Sequence, residues 1–325
     1  MIAFILRRVA QAVLVMLVMT IIVFIGVNVI GNPVDIMISP QADLAERQRI
    51  IAELGLDQPI WRQYLNFIGG LLNGDLGVSY VYNRPSLDLI LERLPATLEL
   101  AATAMVIAIV IGIPAGLYAG LYPRAVLSRL LMAASVLGFS LPTFWVGLLM
   151  IMVFAVHLGI LPSGGRGDTV RLLGMQWSIF SHNGLAYIIM PALNLALFKT
   201  SLILRMTQAG VREVMPQDYV KVARAKGLSP ARVVWVHVLK NVMIPVATII
   251  GLEFGSVVAF SVVTEKIFAW PGIGKLIIDS IGSLDRPVII AYLMMIVALF
   301  VLINLIVDLL YILLDPRVRT AGGRS

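Results

Sequence analysis

The stretch from Arg205 to Asn241, RMTQAGVREVMPQDYVKVARAKGLSPARVVWVHVLKN, is the longest polar, helix-compatible interruption in the second half of an otherwise apolar chain. It carries seven cations, Arg205, Arg212, Lys221, Arg224, Lys226, Arg232 and Lys240, against only Glu213 and Asp218. Asp218 is the expected N-cap of a short helix over Tyr219 to Lys226, and Gly227 is its expected stop. Ser229 and Pro230 then open a second helix, as N-cap and first helical residue. Ala223, Ala225 and Gly227 give this element a small-residue surface able to press into a groove. Anionic headgroups would hold the cations alone, but small residues add nothing to lipid binding, so a protein partner is the expectation.

Outward from this stretch the chain is apolar. Of 325 residues, 59% are hydrophobic and 13% charged, and the mean hydropathy is +0.94. A soluble core cannot hide that much apolar surface, so the composition implies a polytopic membrane protein. With no cysteine, disulfides and thiolate sites are excluded. The net charge of +7 has a simpler origin in membrane topology than in nucleic-acid binding.

The first span is expected at Val9 to Ile30, retained rather than cleaved because it ends in Gly31-Asn32-Pro33 without a small-residue cleavage site. From Asn32 to about Arg93 the composition is mixed. Leu44 to Leu54 suits an amphipathic helix ended by Gly55. Trp61, Tyr64, Phe67, Ile68 and Leu71 then recur at helical spacing, as in a helix lying at the membrane surface or a small cap packed on the spans. Further spans are expected from about Pro95 to Leu121, Leu130 to about Leu158 with a kink at Pro142, Ala186 to Leu204, Val242 to Val263, and Val288 to about Leu314. Between them lie a Gly/Ser-rich loop, Leu161 to Asn183, and the tight aromatic turn Phe268-Ala269-Trp270-Pro271-Gly272-Ile273-Gly274. The expected fold is therefore all-α with six transmembrane helices. It divides into a first segment at 1–31, an outer loop at 32–94 and a core at 95–325, with the short-helix element at about 213–230.

Six spans put both termini on one side. Fourteen cations fall there, including Arg7, Arg8, Arg124, Arg129, Arg317, Arg319 and Arg324, against the loop acids Glu213, Asp218 and Asp315. The positive-inside rule makes that side cytoplasmic.

No enzyme constellation is present. Ala269 to Lys275, AWPGIGK, is not a phosphate loop, and His157, His182 and His237 have no ligand spacing. Ionisable groups within spans are functional hypotheses by default, which with the proline makes Pro142, Lys199 and Glu253 candidate pathway residues. Lys199 lies about 9 Å from Arg205, and Glu253 about 16 Å from Met243, along their helices. The two residues pair across their spans, or Lys199 snorkels to the cytoplasmic surface and Glu253 faces an aqueous path or is protonated. Asp308, with Asn304 one turn earlier, is expected to make a helix–helix contact. An ion-coupled carrier using Lys199 and Glu253 is the alternative from another class, but it leaves the Arg205 to Asn241 stretch without a task.

At Asp218-Tyr219-Val220-Lys221-Val222-Ala223-Arg224-Ala225-Lys226-Gly227-Leu228 the sequence resembles the cytoplasmic EAA loop of permease subunits of ABC importers, in its dipeptide and oligopeptide version. Lys221, Val222 and Ala223 stand where the general loop has Glu-Ala-Ala, and Ile244-Pro245 where it has Leu-Pro. The resemblance extends through Leu54 to Pro59, Gly74 to Ser79, Arg93 to Leu100, Thr264 to Phe268, Pro271 to Gly274, and Asp315-Pro316-Arg317. It implies a type I importer permease fold and a pore lined mainly by the second to fifth spans. The implied partners are a homologous second permease, two cytoplasmic ATPases and an extracytoplasmic solute-binding protein. ATP and Mg would be bound on the ATPases, with no cofactor on this chain. Glu213, Asp218, Tyr219, Ala223, Arg224, Ala225, Lys226, Gly227 and Leu228 would meet an ATPase, and Trp61, Trp270 and Pro271 the binding protein. Dipeptides, oligopeptides, glutathione, nickel complexes and opine-like compounds all remain within the implied cargo range.

Overall fold

In a computed structural model of the protein, residues 2–29, 44–53, 57–172 and 174–314 are described. The expected boundaries at Gly31-Asn32-Pro33 and Gly55, the motif residues Leu54 to Leu56, and Asp315-Pro316-Arg317 with the basic tail lie outside them.

The N-terminal apolar run is one helix, α1 (Ile2–Val29). Its Val13, Leu14, Ile22 and Ile25 are more than half exposed, an apolar surface that suits lipid rather than water. Two short helices follow, α2 (Leu44–Glu53) and α3 (Ile60–Leu72), and then the long α4 (Ser86–Leu121). Pro95 lies inside α4 rather than at its start. Leu89 and Ile90 are buried in the preceding turns, and that burial carries the helix through a residue that more often marks a beginning.

The expected kink at Pro142 is a break. Helices α5 (Val126–Ser140) and α6 (Thr143–His157) meet at 104°, with Leu141 and Pro142 both extended, at ψ 133° and 126°. Proline drives the preceding residue out of the helical region, and the carbonyl of Pro142 then accepts from Trp145 and Val146 to start the next helix. The last part of α6, Ile151–His157, is π-helical. The Gly/Ser-rich loop holds an antiparallel hairpin that an all-α reading did not contain, β1 (Val170–Leu172) and β2 (Met175–Trp177), with Val170 opposite Trp177.

Helix α7 (Gly184–Val214) runs ten residues beyond the expected end at Leu204. Leu204, Thr207, Gln208 and Val211 are buried on one face, while Arg205, Arg212 and Glu213 are exposed on the other, so the helical period continues through the polar residues. After α8 (Asp218–Ala225), helix α9 (Pro230–Phe260) joins the expected second polar helix to the fifth span through a π-helical segment at Val233–Val238. The opening stretch is thus the end of one span, a short helix and the beginning of the next. Helices α10 (Val262–Ile267), α11 (Ile273–Gly282) and α12 (Arg286–Leu314) complete the described chain.

Among the described residues five helices are long and apolar enough to cross a bilayer, namely Arg8–Gly26 of α1, α4, α7, α9 and Arg286–Val307 of α12. The broken pair α5–α6 makes a sixth if counted as one span.

The contacts divide into two units. In the unit formed by Met1–Pro95 and Pro271–Val301, α3 packs on α1. The hydroxyls of Tyr64 and Thr20 are 2.8 Å apart, and Phe24 meets the rings of Tyr64 and Phe67 at 5.3 and 5.9 Å. A loop corner is fastened by Asp285, which accepts from the Ser79 hydroxyl and the Tyr80 amide.

In the unit formed by Ala96–Trp270 and Leu302–Ser325, α4 lies close along α7. A Cβ at Gly112 would stand 3.0 Å from the Ile203 side chain, one at Gly116 2.7 Å from Thr207, and one at Gly120 2.6 Å from Val211. Glycines at this four-residue repeat let two helix backbones approach in a setting where association rests on van der Waals packing.

Candidate functional site

Helix α8 sits between α7 and α9 and is the shortest element with an uncovered outer face among those the opening stretch supplies. Its N-cap is Gln217, not Asp218. Asp218 instead lies in the first turn and pairs with Lys221 at 2.9 Å, an exposed contact of little energetic weight. The C-terminus closes as expected. Gly227 adopts φ +75°, its amide donates to Arg224 O at 2.9 Å, and the Leu228 amide donates to Ala223 O at 3.3 Å, the paired bonds of a left-handed helix stop. Ser229 caps α9 by accepting from the Arg232 amide.

The face that α8 presents differs from the expected one. Ala223 is 5% exposed and Val220 fully buried, because this side of α8 packs on the π-helical segment of α9. Ala223 therefore belongs to the internal seam and not to a docking surface. The outer ridge is Tyr219 and Val222, 42% and 51% exposed, with Arg224, Ala225, Lys226 and Gly227 also exposed and Leu228 half-buried. Val222 was legible from its i,i+3 spacing to Tyr219. Glu213 is exposed in the last turn of α7, and the Arg224 guanidinium rests 3.6 Å from Met215 Sδ.

Lys199 and Glu253 do meet. Lys199 Nζ donates to Glu253 Oε2 and to Ser256 Oγ at 2.7 Å, Ser256 lies 2.8 Å from the same carboxylate oxygen, and the ammonium stands 5.1 Å from the Phe198 ring centroid. The pair spans α7 and α9, so the snorkelling alternative is set aside: the two helices place the partners within reach, and a pair costs less than two separate charges in a low-dielectric setting.

A second buried pair was not singled out from the sequence. Glu99, 1% exposed, accepts from Arg166 Nε and Nη2 at 3.2 and 2.6 Å and from the Ser178 and Ile179 amides at 2.6 and 2.9 Å. Arg166 also donates to Ser178 Oγ and Gln176 O, so the hairpin loop is held to α4 by a filled set of charge-assisted bonds. A lone acid at the head of an apolar run was the available signal.

Trp270 belongs beside this cluster. It is fully buried, donates its indole N–H to Ala96 O at 2.9 Å, and has the Arg166 guanidinium 5.7 Å from its ring centroid. It cannot face a binding protein as expected; Pro271 and Trp61 are exposed. Nearby, Glu265 is buried and accepts from Thr97 and Ser261. Pro142 is exposed at the α5–α6 break. The helix–helix contact expected of Asp308, with Asn304 one turn earlier, rests on a side chain outside the described residues.

Two family models match the chain: "Binding-protein-dependent transport system inner membrane component" over residues 112–320 and its N-terminal counterpart over 1–101. The dipeptide transport system permease protein DppB of Escherichia coli is 38% identical over 336 residues, covering 98% of this chain and 99% of that protein. The oligopeptide permease protein AppB of Bacillus subtilis is 38% identical and the glutathione permease protein GsiC of Escherichia coli 37%, each over 320 residues with the same coverage. Among solved structures, the MetNI methionine ABC transporter in inward-facing form matches with TM-score 0.56 at 20% identity, over 70% of this chain and 96% of that one, a likeness of fold.

Proposed function

This chain belongs to the family of binding-protein-dependent transport system inner membrane components, and we propose that it is the permease subunit of an ATP-driven importer of dipeptides or oligopeptides. The observation that carries the mechanism is α8, an eight-residue helix whose outer ridge is uncovered and whose inner side is packed on α9. A push on that ridge passes into a span without an intervening flexible loop. Such an importer needs a homologous second permease, two cytoplasmic ATPases that carry the ATP and Mg, and an extracytoplasmic solute-binding protein. On this reading α8 and both termini are cytoplasmic, in keeping with the excess of Lys and Arg on that side.

The cargo class rests on the relatives. Proteins named for dipeptides, oligopeptides and glutathione are about equally similar to this chain, and what their substrates share is a small peptide. The broken span supports a place for the pathway. Irregular backbone at membrane depth is tolerated only where protein buries it or water reaches it, and Ser140, Leu141 and Pro142 are exposed in the single chain. That stretch therefore suits the translocation pathway or the second permease rather than lipid. Family membership sets aside the ion-coupled carrier.

The test is uptake of a labelled dipeptide into proteoliposomes holding this chain with its second permease and both ATPases, with binding protein added. Uptake should require ATP, persist when the proton gradient is collapsed at constant ATP, and be competed by oligopeptides. Uptake that continues without the ATPase subunits would overturn the proposal.

A further inference from the structure

We infer that Lys199, with Glu253 and Ser256, is a positioning node that ties the α7–α8–α9 hairpin to the break in the third span, so that movement at α8 reaches Pro142. The inference rests on the reading of α8 as the ATPase contact and extends it to residues inside the bilayer.

The node is saturated. The Lys199 ammonium has two oxygen partners, Glu253 and Ser256, and the Phe198 ring as a third neighbour. Ser256 also donates to Glu253, through either the carboxylate or the backbone carbonyl. The side chains of Lys199 and Glu253 are 11% and 24% exposed. A group so engaged is poorly placed to exchange ions with water, but it fixes the register of α7 against α9.

The chain of contacts continues on the other side of Lys199. Phe198 stacks on Phe139 of α5 at 4.5 Å between centroids, and the Arg205 guanidinium lies 5.7 Å from the Phe139 ring centroid. Gly138 is packed against the same helix, since a Cβ there would stand 2.6 Å from Ser201 Oγ. Gly138 and Phe139 immediately precede Ser140, the last residue of α5 before the break. From α8 to Pro142 the route therefore runs through α9, Glu253 and Ser256, Lys199, Phe198 and Phe139, with a packed or bonded contact at each step and all within one unit.

The experiment compares four forms in the complete transporter at matched membrane levels: Lys199→Met, Glu253→Gln, the apolar double Lys199→Met/Glu253→Leu, and the exchange Lys199→Glu/Glu253→Lys. The readout is peptide imported per ATP hydrolysed. The singles leave a charge unpaired and should lower their membrane level as well as the ratio; the apolar double removes both charges and should insert normally. If the node positions the break, the apolar double imports about tenfold less peptide per ATP, and the exchange, which re-forms the pair, restores the ratio. An apolar double with the wild-type ratio would overturn the inference, leaving the pair a contributor to stability only. So would an exchange as defective as the singles. In the same preparations Val222→Asp reports separately on α8: if that variant keeps its ATPases and its uptake, it is the ATPase contact that fails.

Discussion

At the scale of single residues the two buried ion pairs carry different burdens. Removing one partner of a buried pair strands a charge, at about 3–5 kcal/mol. Arg166→Ala should therefore lower the melting temperature of the purified protein and its membrane level, because Glu99 keeps only its two amide donors. Arg166→Lys should recover only part, since one ammonium cannot reproduce the fork that engages Glu99, Ser178 and Gln176. Tyr80 offers a pH test. Burial raises its pKa above 10.0, opposed by the Arg286 charge and aided by Asp285. A phenol whose folded pKa is raised contributes stability that is complete below the unfolded pKa and lost as pH climbs through the folded one. Stability measured by thermal melts should thus fall as pH rises beyond about 10, and Tyr80→Phe should flatten that fall.

At the scale of elements α8 separates seam from surface. Ala223→Asp would bury a carboxylate against α9 and should destabilise the hairpin by about 3 kcal/mol or more, so a loss of uptake in that variant would not report docking. Val222→Asp lies on the outer ridge. It should change stability by less than about 0.5 kcal/mol while lowering retention of the ATPases on the purified permease by about tenfold. Gly227 is a third case. Nothing stands within 4 Å of a Cβ there, so Gly227→Ala costs only its left-handed backbone, about 1–2 kcal/mol, seen as weakened retention without loss of membrane insertion. The break between α5 and α6 is an element-scale device as well. Pro142→Ala gives that position back its amide and relaxes Leu141, and it should cut uptake while leaving the protein in the membrane.

At the scale of the whole molecule the chain provides its own background for a topology test, because it has no cysteine. A single cysteine introduced at exposed Ala225 should be labelled by an impermeant maleimide only from the cytoplasmic side, and one at exposed Met175 only from the other. Labelling of both from one side would contradict the charge-based orientation. The existence of the spans, the short helix, its glycine stop and the Ser229-Pro230 start was legible in the sequence, because each follows from local chemistry: apolar length, a left-handed residue, a cap and a fixed φ. Where the spans end was not, since α7 continues to Val214 on the burial of Thr207, Gln208 and Val211, which depends on what lies beside them. The same holds for Ala223 and Trp270, small and aromatic residues that read as surface by type and are interior by placement. Lys199 and Glu253 were visible as costly charges, but only the packing of α7 on α9 brings residues 54 apart in sequence into one pair. Sequence settles what each segment favours alone; which faces are consumed by neighbours is decided by the tertiary structure, because burial is a property of the partners as much as of the residue.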